Sequence, residues 1–368
     1  MSPSDSAQPI VFLHSSDELY GADRMLLRVL GALTDSDRQQ AEVWLPTDVP
    51  GGPHLLCKEL VAAGVTVRHL DLPVLRRSYI NPRGLLRLAV RMATSAGRLR
   101  QAKPRMMFFA TSAMLPAALM VNRAPRQVLH LQEVWQGPES RVLNWMSRRL
   151  DQVIAISNAS KESLSNRLQR RTIVVPNGTE DPGSAAAVSD RSGPLVFVIA
   201  SRWSSWKGHA TLIAAWQRAG QPGVLRILGG PPPVGAAVDV PELVARHNCT
   251  DTVEIIGEVP SADPYIADAD VMLVPSTSPE PFGLTSIEAF ARGRPVVGTQ
   301  GGGLQDVVQE GAGWLVPPGD VAALADLLGS LDRQTVARAG TLARQRFESH
   351  YSIAAFTQAM HQALYQGR

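Results

Sequence analysis

The stretch DVMLVPSTSPEPFGLTSIEAFARGRPVVGT, residues 270–299, reads as strand, loop, helix and strand. "VMLVPS" is a short apolar run, "LTSIEAFARG" is a helix expected to begin near Thr285 or Ser286 and to stop at Gly293, and "RPVVGT" returns as a strand. A strand, a helix and a strand at this spacing form the unit of a parallel sheet covered on both faces. The loop holds Glu280 between prolines and the helix holds Glu288, so two carboxylates flank a Phe-Gly turn.

The same alternation extends both ways. Before residue 178 the runs are "IVFLHS", "AEVWLP", "VTVRHLDL", "RMMFFAT", "QVLHLQE", "QVIAIS" and "TIVVPN"; after it they are "LVFVIA", "VLRILGG", "VEIIG", "DVMLVPS", "RPVVGT" and "GWLVPP". Between the two sets, "GTEDPGSAAAVSDRSGP" has the composition of a linker. The expected class is α/β, with two Rossmann-like domains at 1–177 and 194–350, a linker at 178–193, and parallel sheets facing a central cleft. Helix 351–368 has no strand left to cover and is expected to cross back to the first domain. At 368 residues the chain suits two cores better than one.

Composition narrows the function classes. The two isolated cysteines, Cys57 and Cys249, suit neither a disulfide framework nor a metal cluster and point to a reducing compartment. The start, "MSPSDSAQP", lacks a charged-then-apolar signal, and no apolar run approaches the ~20 residues that span a bilayer, so a cytoplasmic protein is expected. Residues 1–177 carry 23 Lys and Arg against 14 Asp and Glu, and residues 178–368 carry 13 against 19. The stretch from Leu75 to Arg105 has nine basic residues and no acidic one. Within it Arg83, Arg87, Arg91 and Arg98 fall near one helical face, with Leu85, Leu88, Met92 and Leu99 on another. Such a face suits peripheral contact with anionic lipid at the inner side of the membrane, and equally a solvated helix of an α/β domain. No nucleic-acid partner is expected.

The usual cofactor fingerprints are missing: G-x-G-x-x-G, the P-loop, HExxH, paired CxxC and the nucleophile elbow. "DAD" at 268–270 could be read as a metal-binding carboxylate pair, but Asp270 runs straight into an apolar strand. The signals for an anion are more consistent. Arg202 and Lys207 follow the strand "LVFVIAS", the helix after Gly283 offers unpaired amides and a positive dipole end, and "TQGGGLQDV" adds a Gly-rich turn before a further helix. Together these suit a nucleotide diphosphate.

"PEPFGLTSIEAFARGRPVVGTQGGGLQDVV" with "GAGWLVPPGD", "ASRWSSWKG", "VVPNG", "IAISNASKESL" and "HSSDELYGADRMLLRVL" resembles the retaining GT-B glycosyltransferases of family 4, the glycosyl transferases group 1. The resemblance covers nearly the whole chain and is weaker between residues 45 and 125. It implies an acceptor-binding first domain and a donor-binding second domain. The implied reaction moves a sugar from a nucleotide-diphosphate sugar to a hydroxyl of a glycan, a lipid-linked glycan or a small metabolite. It also implies retained anomeric configuration and no metal or other cofactor. Carried over by residue, Arg202 and Lys207 meet the diphosphate, Glu280 accepts from the donor sugar and Glu288 from the ribose. Phe282, Gly283, Leu284 and Thr285 form the loop whose amides meet sugar and phosphate, and Gly21 lets the first helix approach the phosphates. Gln132 stands where many relatives have a histidine, and Asp306 where a glutamate is common.

Each assignment has a structural rival. "TSIE" at 285–288 is also a capping box in which Glu288 only satisfies a backbone amide. Glu280 could be a solvated loop charge, Lys207 a surface lysine, Arg202 an arginine stacked on Trp203, and Gln132 a strand-end residue. Gly301, Gly302 and Gly303 could serve only the turn. Two other functions fit the same fold: a sugar-nucleotide 2-epimerase and a catalytically silent sugar-nucleotide-binding protein.

Overall fold

The computed structural model describes residues 8–19, 21–48, 54–76, 79, 81–120, 126–183, 185–232, 235–309 and 311–365. The expectation about the start of the chain rests largely on residues 1–7, which lie outside the described residues, as does Arg77 of the basic stretch. The chain divides into two compact units: residues 1–176 with 357–368, and residues 177–356.

Among the described residues, unit 1 holds seven strands: β1 (Ile10–Leu13), β2 (Ala41–Pro46), β3 (Thr66–Leu70), β4 (Met106–Phe109), β5 (Arg126–Leu131), β6 (Gln152–Ala155) and β7 (Thr172–Val174). They form one parallel sheet in the order β3-β2-β1-β4-β5-β6-β7. Unit 2 holds β8 (Leu195–Ala200), β9 (Gly223–Leu228), β10 (Val253–Gly257), β11 (Val271–Val274), β12 (Val296–Thr299) and β13 (Gly313–Val316), parallel in the order β10-β9-β8-β11-β12-β13. Every apolar run read from the sequence coincides with one strand to within two residues at its start. In each sheet the order reverses at the first strand, which is where an open α/β sheet accepts ligands beyond its carboxyl ends.

Burial explains why these runs become central strands. Ile10, Val11, Phe12 and Leu13 are all inaccessible, so β1 is apolar on both faces. Phe12 leans on Phe108 of β4 with ring centroids 5.0 Å apart. In unit 2, Phe197 of β8 meets Trp216 of the helix His209–Arg218 edge-on at 5.2 Å, an arrangement that contributes about 0.5–1.5 kcal/mol beyond the area buried.

Residues 178–193, linker-like in composition, lie within unit 2 and are bound to it. Val188 belongs to its core, Arg292 donates to the carbonyls of Pro182 and Gly183, and Arg333 donates to that of Val188. The final helix, Ile353–Tyr365, joins unit 1 from Thr357 onward. There Gln152 donates to the carbonyl of Ala363 at 2.9 Å, Arg126 to that of Leu364, and Tyr365 to Asp37 at 2.5 Å.

The helix Pro82–Ala102 corrects one expectation. Asn81 caps it by accepting from the Gly84 amide at 2.8 Å, and Pro82 fills its first turn. Its inward face is Gly84, Arg91, Ser95 and Leu99. Arg91 is therefore not on an outward basic face: it is 2% exposed and pairs with Asp48 at 2.6 Å and Asp71 at 2.7 Å. A buried guanidinium needs such partners, and two carboxylates supply them. Leu85, grouped in the sequence with Leu88, Met92 and Leu99, is exposed together with Leu86 and Val90.

Candidate functional site

In unit 2 the chain leaves β8 through Ser201, Arg202 and Trp203 and makes one 3-10 turn, Ser205–Lys207. Gly208 then takes a left-handed conformation, φ 78°, and a Cβ there would stand 1.8 Å from the carbonyl oxygen of Pro275. Only glycine allows that approach. The two loops are locked further by the Thr277 amide, which donates to the carbonyl of Trp206 at 2.8 Å.

This contact brings together residues 73 positions apart. Lys207 Nζ lies 2.9 Å from Glu280 Oε2 and 4.0 Å above the centre of the Trp206 ring. Ser276 Oγ donates to the same carboxylate oxygen at 2.9 Å. Both bonds fall on Oε2, so Oε1 of Glu280 can accept from a further hydroxyl. Glu280 is 9% exposed, which sets aside its reading as a solvated loop charge. Its backbone is pinned as well: its carbonyl accepts from the Gly303 amide at 2.7 Å, and a Cβ on Gly302, φ 68°, would come within 2.2 Å of that carbonyl. The glycine turn thus holds Glu280. Arg202, two residues beyond β8, has an exposed side chain.

The loop continues through Phe282, which is buried with its ring edge-on to Tyr351 at 6.0 Å, and Gly283, φ 87°. Gly283 is the cap of the helix Leu284–Ala291 and offers no side chain to its first amides. The Ser286 amide returns to the Gly283 carbonyl, while Leu284 and Thr285 fill the first two positions of the helix, where amides have no partner within it. The helix begins before Thr285, so the capping-box reading fails. Glu288 is its fifth residue, beyond the third position from which a carboxylate reaches back to the cap. It stands half-buried on the second turn.

His209 follows Gly208 fully buried, and burial with the Lys207 charge pulls its pKa down to about 4, so its imidazole is neutral at neutral pH. Asp270 is inaccessible; one oxygen accepts from the Val196 amide at 2.8 Å and the other faces Arg191 at 3.0 Å and Arg333 at 3.3 Å. Asp268 pairs with Arg226 at 2.6 Å. The "DAD" carboxylates are occupied by arginines and clamp the start of β8. Asp306 contributes its carbonyl, which accepts from Arg346 at 2.7 Å and from the Tyr351 hydroxyl at 3.1 Å.

In unit 1, Gly21 opens the helix Gly21–Gly31. The loop ahead of it is organised by Asp23, whose Oδ1 lies 2.6 Å from both His14 Nε2 and Ser16 Oγ. Gln132, just past β5, donates from Nε2 to the carbonyl of Ala110 at 2.9 Å, which ties two strand ends together. Sequence reasoning did not single out Ser276, because a serine among many carries no signal until its hydroxyl is seen on Glu280. It also did not single out Asp17, His54 and His69, which among the described residues are the one group of three metal-capable side chains brought together. They come from three separate segments with no spacing motif.

Residues 194–333 match the family described as Glycosyl transferases group 1. The similarity to the group 1 glycosyl transferases thus lies in unit 2. The matched segment contains Lys207, Glu280 and Glu288. The chain is 32% identical over 173 residues to a putative colanic acid biosynthesis glycosyltransferase of Escherichia coli, covering 43% of this chain and 42% of that one. It is 29% identical over 209 residues to a phosphatidyl-myo-inositol mannosyltransferase of Mycobacterium leprae, covering 53% and 54%. The chain thus spans about half the length of these curated relatives or less. Among solved structures, the Anabaena protein HepE, crystallised with UDP and glucose, superposes with a TM-score of 0.76 over 97% of this chain and 99% of that one at 22% identity. The fold is GT-B.

Proposed function

We propose that this chain is a retaining glycosyltransferase that moves a sugar from a nucleoside-diphosphate sugar to an acceptor hydroxyl, with no metal ion at the diphosphate. The observation that carries this reading is the Lys207–Glu280 pair, held at strand ends beside a helix N-terminus in the segment that matches the family. A cation and a carboxylate set for different parts of one ligand suit a diphosphate joined to a sugar: Lys207 and Arg202 take the phosphate oxygens, and Glu280 Oε1 accepts from the sugar. Glu288 takes the ribose. As the bond from the anomeric carbon to the diphosphate breaks, negative charge grows on the leaving oxygen, and Lys207, Arg202 and the amides of Leu284 and Thr285 stabilise it. That oxygen accepts the proton of the attacking hydroxyl on the same face, which preserves the configuration. Fixed cations do here what a divalent metal does in other transferases.

The acceptor is a glycan, a lipid-linked glycan or a small metabolite. Among the described residues no helix is long and apolar enough to cross a membrane. Leu85, Leu86 and Val90 stand exposed on the helix Pro82–Ala102 beside exposed Arg83 and Arg87, and this mixed face supports peripheral contact with anionic lipid, each cation near the surface contributing about 1 kcal/mol. Binding to phosphatidylglycerol vesicles that fades with salt is the expected result; no binding at low salt points to a soluble acceptor.

The test is incubation with UDP-, GDP- and dTDP-sugars. Release of nucleotide in the presence of an acceptor, with a glycoside whose anomeric configuration matches the donor by NMR, is expected. An inverted product, or a 2-epimer released without acceptor, would replace this reading.

A further inference from the structure

Unit 1 gathers three metal-capable side chains where the chain leaves β1. Asp17, four residues past that strand, is 2% exposed. Its Oδ2 lies 2.6 Å from Nδ1 of His54 and 3.0 Å from Nε2 of His69, and the three ligand atoms all fall within 4.8 Å of one another. His69 belongs to β3 and His54 immediately precedes the helix Leu55–Ala62. We infer that Asp17, His54 and His69 form a binding site for a divalent transition-metal ion of the zinc type.

Four observations support it. The first is ligand chemistry: two imidazoles and one carboxylate are a set that zinc and its neighbours accept. The second is spacing. Four-coordinate zinc with nitrogen and oxygen ligands at roughly 2.0–2.2 Å sets those atoms about 3.3 Å apart, so the two Asp17–imidazole distances, 2.6 and 3.0 Å, have to open by a fraction of an ångström, while the imidazole nitrogens, within 4.8 Å, adjust onto the ion. The third is orientation. Asp17 Oδ1 accepts from the Cys57 amide at 2.9 Å, which leaves Oδ2 turned to the imidazoles; a ligating carboxylate is ordinarily held by such an outer bond. The two imidazole rings stand edge to face, 83° apart with centroids at 5.6 Å, so their nitrogens converge on Asp17 without stacking.

The fourth is the backbone of His54, which is left-handed at φ 48° and ψ 49°. A residue other than glycine adopts that conformation at a cost, and here it turns the ring onto Asp17. Without an ion, the imidazoles donate hydrogen bonds to the carboxylate. With one, the metal replaces those protons. The His54 and His69 side chains remain 50% and 36% exposed, so a fourth coordination position is open to water or to an oxygen ligand.

The test uses the full chain stripped of metal with chelator and titrated with Co²⁺ and Zn²⁺, followed by visible absorption and by calorimetry. One equivalent of Co²⁺ with a tetrahedral or five-coordinate d–d band, displaced by Zn²⁺, is expected. His54→Ala and His69→Ala should each weaken binding at least about tenfold. His350→Ala, at an exposed histidine of unit 2, should leave it unchanged. Melting temperatures of the metal-free proteins report whether the variants are folded. Failure of the wild type to take up a stoichiometric ion, or equal affinity in the wild type and both variants, overturns the site. Neither result bears on sugar transfer, because no step of the measurement uses a donor.

Discussion

In unit 1 the chain leaves its first strand through His14, Ser16 and Asp17; in unit 2 it leaves the equivalent strand through Arg202 and Lys207. Both strands sit where the sheet order reverses, and both loops lead into a helix. One loop collects carboxylates and imidazoles, the other cations. Counted over the two halves of the chain the balance runs the other way, +9 for residues 1–177 and −6 for 178–368. Net charge therefore does not forecast the charge of a site. Most of the arginines of unit 1 lie elsewhere on it, while the few side chains at its first strand end are arranged around Asp17 and Asp23. Topology supplies the place, and local residues decide which sign of ligand it suits.

The largest effect that can break this comparison lies in unit 2. Lys207→Ala should lower kcat by about 10²–10³, as loss of one transition-state donor does elsewhere, and should raise the donor KM far less. Steady-state kinetics with the donor found in the screen give the answer. A loss confined to KM would mean that Lys207 binds donor and transition state alike, and unchanged kinetics would remove it from the site.

A second comparison sets one buried histidine of each unit against the other. Burial holds His130 of β5 at a pKa of about 4, as it does His209 with the help of Lys207, both below the ordinary 6.5. Below pH 6.5 the unfolded chain takes up protons that the folded chain refuses. Stability is therefore complete above that pH, falls between about 6.5 and 4, and levels off below. The contribution is at most about 3 kcal/mol for each histidine. His130→Leu should flatten the loss for unit 1 and His209→Leu that for unit 2, read from thermal unfolding at pH 7.5 and 4.5. A melting temperature equally sensitive to pH in the wild type and both variants would mean that neither ring is held neutral.

The third comparison is within the decisive loop. Glu288→Gln should weaken nucleoside-diphosphate binding by roughly ten- to a hundredfold, since a hydrogen bond to a charged group contributes ~1.5–3 kcal/mol, while the melting temperature barely moves. Glu280→Gln should keep that affinity and lose transfer. Equal losses of nucleotide affinity in the two variants would end the division of labour between them.

How much of this could be read in advance follows from how local each signal is. β1 and β8 announce themselves as short runs that are apolar on both faces, because a central parallel strand has no wet side. The rigid Pro-Glu-Pro segment and the glycine turn are local too, so Glu280 stood out, and Gly302 is now seen to hold its backbone. Other features depend on partners far along the chain. Arg91 faces inward only because Asp48 and Asp71 await it, which a helical wheel of residues 82–102 cannot reveal. "TSIE" imitates a cap, but the left-handed Gly283 starts the helix earlier and moves Glu288 into its second turn. Residues 178–193 have the composition of a free linker and are tied down by arginines more than a hundred residues away. Asp17 and His69 stand 52 positions apart, and only the β3-β2-β1 order brings them together.

The central claim is that unit 2 holds a diphosphate with its own cations. Calorimetric titration of the full chain with UDP, or with whichever nucleoside diphosphate the donor screen selects, should be carried out in excess EDTA and again with magnesium. The same dissociation constant is expected in both, and a weaker one for Lys207→Ala in each. Binding abolished by EDTA and restored by magnesium would contradict it.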